Sequence, residues 1–178
     1  MIRGAVLIAM FILLAVLEVS FVSALSPTLR TVPFLFAVSV TLLQHHGVRA
    51  GAWYIAAFGL LLDAFGLSAA FPMAPGAALA ALAADRFSRN VFSNRSYYGL
   101  MGCGVCAFGI QIAWQAAVLA FRAAFFNVRI GFLAAGVDAI TAFLWLAVWL
   151  TILFFAAGGI RRLLGSAFVL PAERRTLT

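Results

Sequence analysis

The apolar positions of this chain run in long blocks, with polar residues confined to short breaks between them. Runs of about 18 or more apolar residues recur, and such runs mark helices that cross a bilayer. The weak ten-residue alternation of a transmembrane barrel is absent. A first span is expected over about Gly4 to Leu25, closed by Ser26 and Pro27, since proline cannot continue a helix. The second opens at Pro33, a favourable first-turn position, and runs to about Gln44. It is short for a hydrocarbon core of about 30 Å, which calls for tilt or a thinned bilayer.

The stretch from Ala50 to Ala84 is too long for one crossing, because 35 helical residues would reach about 52 Å. Gly66, Pro72 and Pro75 interrupt it, so it divides into spans at 50–65 and about 74–84. A polar loop from Asp85 to Ser96 follows, then a fifth span at 97–121, a short loop at 122–129, a sixth span at about 130–157 and a basic tail, 158–178. The pattern predicts an all-α, integral membrane bundle of six transmembrane helices forming a single domain. The start of the chain imitates a signal peptide, with Arg3 before an apolar run and small residues near Ala24. That run is too long for a signal's apolar core and reads as an uncleaved span.

Composition agrees with this plan. Of the 178 residues 66% are hydrophobic and 10% charged, against about 25% charged in a soluble domain. The net charge of +7 would raise nucleic acid as a partner in a soluble protein. Here every basic residue is an arginine flanking a span, so no nucleic acid is expected. With six spans and both termini cytoplasmic, nine arginines lie inside and Arg30, Arg122 and Arg129 outside, the positive-inside bias of a bacterial inner-membrane protein. A five-span plan with the N-terminus outside gives eight against four and requires the overlong helix. The high Ala and Gly content and the absence of lysine fit a GC-rich genome.

Acids within a bilayer are costly, which makes each a candidate functional residue. Glu18 and Asp63 lie about 21 Å and 20 Å from the inner starts of their spans, and Asp138 about 12 Å below the outer end of its own. All three fall in the outer half, as do Gln111 and Gln115, one turn apart on the fifth span. A polar layer of Glu18, Asp63, Gln111, Gln115 and Asp138 is therefore expected near the outer face. Two roles remain open for it: interhelical hydrogen bonding that holds the bundle, or an outward-facing pocket or contact surface for a partner's span. No acid lies in the inner half, which argues against a proton or ion path.

Cys103 and Cys106 have the spacing of a redox pair but sit in an apolar helix among Gly99, Gly102, Gly104 and Gly109. Gly99, Gly102, Cys103, Cys106 and Gly109 read as a small-residue face for close helix packing or a partner. The alanine-rich fourth span offers a second such face. Adjacent His45 and His46 lack the i, i+4 spacing of a metal pair, and neither a metal nor a cofactor is expected. Arg86, Arg89 and Arg95 are placed to meet anionic lipid headgroups or an acidic cytoplasmic partner. No catalytic motif is present, so an enzyme is not expected.

The third span reads Gly59-Leu60-Leu61-Leu62-Asp63-Ala64-Phe65-Gly66, preceded by Pro33-Phe34-Leu35 and followed by an alanine-rich span ending in Asp85-Arg86-Phe87. Over roughly Glu18 to Phe121 this order resembles the MreD family of rod shape-determining membrane proteins. The resemblance implies a non-enzymatic scaffold of the cell-elongation and peptidoglycan-synthesis machinery. Its partners would be MreC-like and RodA- or penicillin-binding-protein-like membrane proteins, close to the MreB filament. The MreD fold is itself similar to the six-helix substrate-binding subunit of energy-coupling-factor transporters. That likeness leaves an alternative open: a membrane subunit that binds a vitamin or other small molecule.

Overall fold

In the computed structural model of the chain the described residues are 2–22, 33–44, 47, 49–65, 72–92, 96–126 and 131–168. They form six α-helices and no strand. Helix α1 spans Ile2–Val16 and continues as a π-helical turn, Leu17–Val22. Then come α2 (Phe34–Gln44), α3 (Ala50–Ala64), α4 (Met73–Asn90), α5 (Tyr97–Phe126) and α6 (Phe132–Phe168). Two stretches, Tyr97–Phe126 and Leu133–Gly159, are long and apolar enough to cross a membrane.

Local chemistry explains the ends. Pro72 stands before the first turn of α4 with extended backbone, and Pro75 lies within that turn, where no N–H is required. Ser96 caps α5, its hydroxyl accepting from the Gly99 N–H at 3.2 Å. Asp85 to Asn90, expected as loop, continue α4. The apolar pattern stops there, but Asp85 and Arg89 pair at i, i+4 (Nη2 to Oδ2, 2.5 Å) and support another turn and a half. Likewise α6 runs to Phe168, well into the stretch expected as tail.

The short helix α2 is the centre of the bundle and packs against α3, α4, α5 and α6. Leu35, Ala37, Val40 and Ser39 are completely buried. Its two hydroxyl residues tolerate this because its own backbone satisfies them. Ser39 Oγ donates to the Leu35 carbonyl at 2.7 Å, and Thr41 Oγ1 to that of Ala37 at 2.8 Å. Gln44 Nε2 donates to the Phe92 carbonyl, tying the end of α2 to the turn between α4 and α5.

Small residues let the backbones approach. Gly51 of α3 faces the Ser39 carbonyl of α2, and Gly59 faces Ala77 of α4. Gly104 of α5 lies against Leu150 of α6. Helix α1 joins more loosely through one stripe, with Phe11 beside Tyr54 (ring centroids 5.3 Å) and the Tyr54 hydroxyl donating to the Leu7 carbonyl at 2.5 Å.

Candidate functional site

Two of the three expected intramembrane acids hold helix starts. The first N–H groups of a helix lack partners within it, and an acceptor side chain can take them up. Glu18, on the π-helical turn, accepts from the Leu35 N–H of α2 at 2.8 Å. Asp63, at the end of α3, accepts from the first two N–H groups of α4: Met73 to Oδ1 at 2.8 Å and Ala74 to Oδ2 at 2.7 Å. The same unit thus occurs twice. In each, an acid in the last turns of an apolar helical segment accepts from the first N–H groups of a proline-led helix. Pro33-Phe34-Leu35 and Pro72-Met73-Ala74 are the matching starts. No sequence repeat marks this parallel, because the acid and its partner are 17 residues apart in one unit and 11 in the other.

Beside these caps lies a cavity of about 620 Å³, bordered by all six helices or their ends. Glu18, Gln111, Gln115 and Asp138 line it. Asp63 does not line it. Its carboxylate is turned to the start of α4, and Met73 stands between it and Gln115, whose Nε2 donates to the Met73 sulfur at 3.3 Å. Trp114, which sequence reasoning missed, reinforces the same corner by donating from Nε1 to the Pro72 carbonyl at 3.0 Å. Its only signal in the sequence is its place one residue before Gln115.

The cavity walls are mainly apolar and aromatic, including Phe36, Phe58, Leu62, Phe108 and Ile112. Among the described residues no arginine or histidine lines it. Gln111 Oε1 is buried and lacks a hydrogen-bond partner there. Helices α5 and α6 meet through Tyr97–Thr151 (2.9 Å between hydroxyls), Gly104–Leu150 and Phe108–Phe143 (centroids 5.1 Å). Towards Ala116 and Gly136 both helices become exposed, and a Cβ on Gly136 would meet nothing within 4 Å. Ala116, Gly136 and Asp138 are exposed lining residues and mark the mouth.

Of the two uses open to the small-residue face of α5, packing within the chain is the one seen at Gly99, Gly102, Cys103 and Gly109. Gly99 and Cys103 are buried, Gly102 abuts Phe92, and Gly109 lies 3.8 Å (as an added Cβ) from Phe143. Cys103 Sγ lies 3.6 Å from the Ala84 carbonyl, whereas Cys106 is exposed. One cysteine points inward and the other outward, so they form no dithiol pair. The alanine face of α4 (Ala77, Ala80, Ala81 and Ala84) is buried as well. Arg86 and Arg89 are exposed, and Arg89 pairs with Asp85. Arg95, His45 and His46 lie outside the described residues. Among the described residues no group of three His, Cys, Asp or Glu side chains is disposed to hold a metal ion.

No family model matches the chain, and no curated protein or solved structure matches it. The arrangement itself defines a helical bundle with two acid-capped joints and an acceptor-rich cavity between them.

Proposed function

We propose that the chain is a six-span bacterial inner-membrane protein, both termini cytoplasmic, acting as a non-enzymatic scaffold of the cell-elongation and peptidoglycan-synthesis machinery. The observation that carries this reading is the role of Asp63. The segment resembling MreD proteins, Gly59 to Gly66, ends α3 on the carboxylate that starts α4. The residue that marks the resemblance is thus a joint of the bundle.

Membrane residence draws support from surface chemistry. Of the most apolar stretch of α5 and of α6, only 17% is buried within the chain, which favours lipid over a soluble core as their surroundings. Leu133, Ile140 and Leu144 of α6 and Phe121 and Phe125 of α5 are exposed, which water would penalise and lipid accepts. Because α2 lies within the bundle, its length of about 16 Å needs no matching bilayer. With the small-residue faces occupied internally, the exposed faces of α1, α5 and α6 are left for lipid and for the transmembrane helices of MreC-like and RodA- or penicillin-binding-protein-like partners.

The alternative, a small-molecule-binding subunit of an energy-coupling-factor-type transporter, draws on the cavity. Its volume is in the range of ligand sites, about 300–1,000 Å³. Affinity purification of the tagged protein in mild detergent, with mass spectrometry of what accompanies it, separates the two. MreC- or RodA-type proteins are expected. An ATPase module in their place would overturn the scaffold reading.

A further inference from the structure

We propose that the cavity between the helix ends binds an organic ammonium compound, an apolar body carrying a protonated amine. The inference does not depend on whether the chain is a scaffold or a transport subunit. It rests on the match between the lining and that chemistry.

The polar side chains of the lining are the carboxyl groups of Glu18 and Asp138 and the amides of Gln111 and Gln115. Gln115 Nε2 already donates to Met73 and Glu18 Oε2 already accepts from Leu35, which leaves the carbonyl oxygen of Gln111 as the unmet acceptor. A buried acceptor without a partner is costly, and Gln111 Oε1 is one. An ammonium group brings three donors and no acceptor, which suits such a lining. A phosphate or carboxylate would meet two carboxylates and, among the described lining residues, no cation. Phe36, Phe58 and Phe108 are among the lining residues, and aromatic walls of this kind hold an apolar body and, over a ring face, a cation. Asp138 stands exposed at the mouth, where it attracts a cation before entry.

The mouth lies between α5 and α6. In the six-span arrangement it faces the outer half of the bilayer, so the amine has two sources: a lipid headgroup or a free amphiphile. Both present the same chemistry to Gln111 and Glu18.

The test uses full-length protein in phosphatidylcholine nanodiscs, titrated calorimetrically with phenylbutylamine and with phenylbutyrate against empty discs. Saturable amine binding is expected, at least about tenfold tighter than that of the carboxylate. Gln111→Leu and Asp138→Asn should each weaken the amine about tenfold. Gly136→Trp, placed where an added side chain has open space, should abolish binding while the thermal midpoint stays unchanged. If the amine binds no better than to empty discs, if both probes bind equally, or if the folded variants bind like the parent, the site is not an ammonium site. Adding phosphatidylethanolamine to the discs then tells the sources apart. A weaker apparent amine affinity assigns the native ligand to a headgroup, an unchanged one to a free amine, and either result keeps the ammonium site.

Discussion

At the scale of single residues, Glu18 and Asp63 show why an acid is retained in an apolar helix. Backbone N–H groups at a helix start need acceptors, and in lipid no water supplies them. Each acid provides what a serine or aspartate cap provides in water, at the start of the next helix. Removing a cap costs about 0.5–2 kcal/mol in soluble proteins. Asp63→Ala, which strips two N–H groups, should therefore lower the thermal midpoint in detergent, and Asp63→Asn, which keeps one acceptor oxygen, should lower it by less. Glu18→Ala should act in the same direction through α2. Wild-type midpoints for Asp63→Ala would mean that the cap contributes nothing to stability.

Between elements, glycine decides how close the backbones come. An added Cβ at Gly51 would meet the Ser39 carbonyl and the Leu43 backbone nitrogen, neither of which can swing away. Gly51→Ala should then push α3 from α2 at a cost of about 1–3 kcal/mol, the range for overpacked cores. Gly158→Ala, with nothing within 4 Å of its Cβ, should leave stability unchanged or raise it through helix propensity. Thermal unfolding of the two variants side by side checks the contrast. The central position of α2 has a related origin: with the hydroxyls of Ser39 and Thr41 bonded to its own carbonyls, it presents mainly packing surface to four neighbours.

For the whole molecule, the proposed orientation has a direct check. A fluorescent protein fused after Thr178 should fold and fluoresce in the cytoplasm, and alkaline phosphatase placed there should be inactive. Phosphatase inserted after Phe126, between α5 and α6, should be active. The reverse pattern would invert the bundle and put the cavity at the cytoplasmic face. The arginine distribution sets the expected sign, since the proposed topology puts nine of the twelve on the cytoplasmic side.

The helical character of the chain, the places where its helices start and the small-residue faces of α4 and α5 were legible in the sequence. They depend on local features: unbroken apolar runs, Pro33, Pro72 and Pro75, and clustered glycines and alanines, whereas the crossings at Gly51 and Gly59 appear only in the packed structure. Helix ends beyond the apolar runs were less legible, as the extension of α4 through Asp85 to Asn90 shows, because ion pairing and propensity continue a helix where hydropathy stops. What each acid does was decided only by tertiary structure. Depth along a helix places Glu18, Asp63 and Asp138 at similar heights, but height leaves open the direction in which a side chain points. Asp63 turns to α4 and Asp138 to the cavity mouth because of how α3 folds back on α4 and how α5 parts from α6. Those are relations between distant segments, and a pattern read along one segment does not contain them.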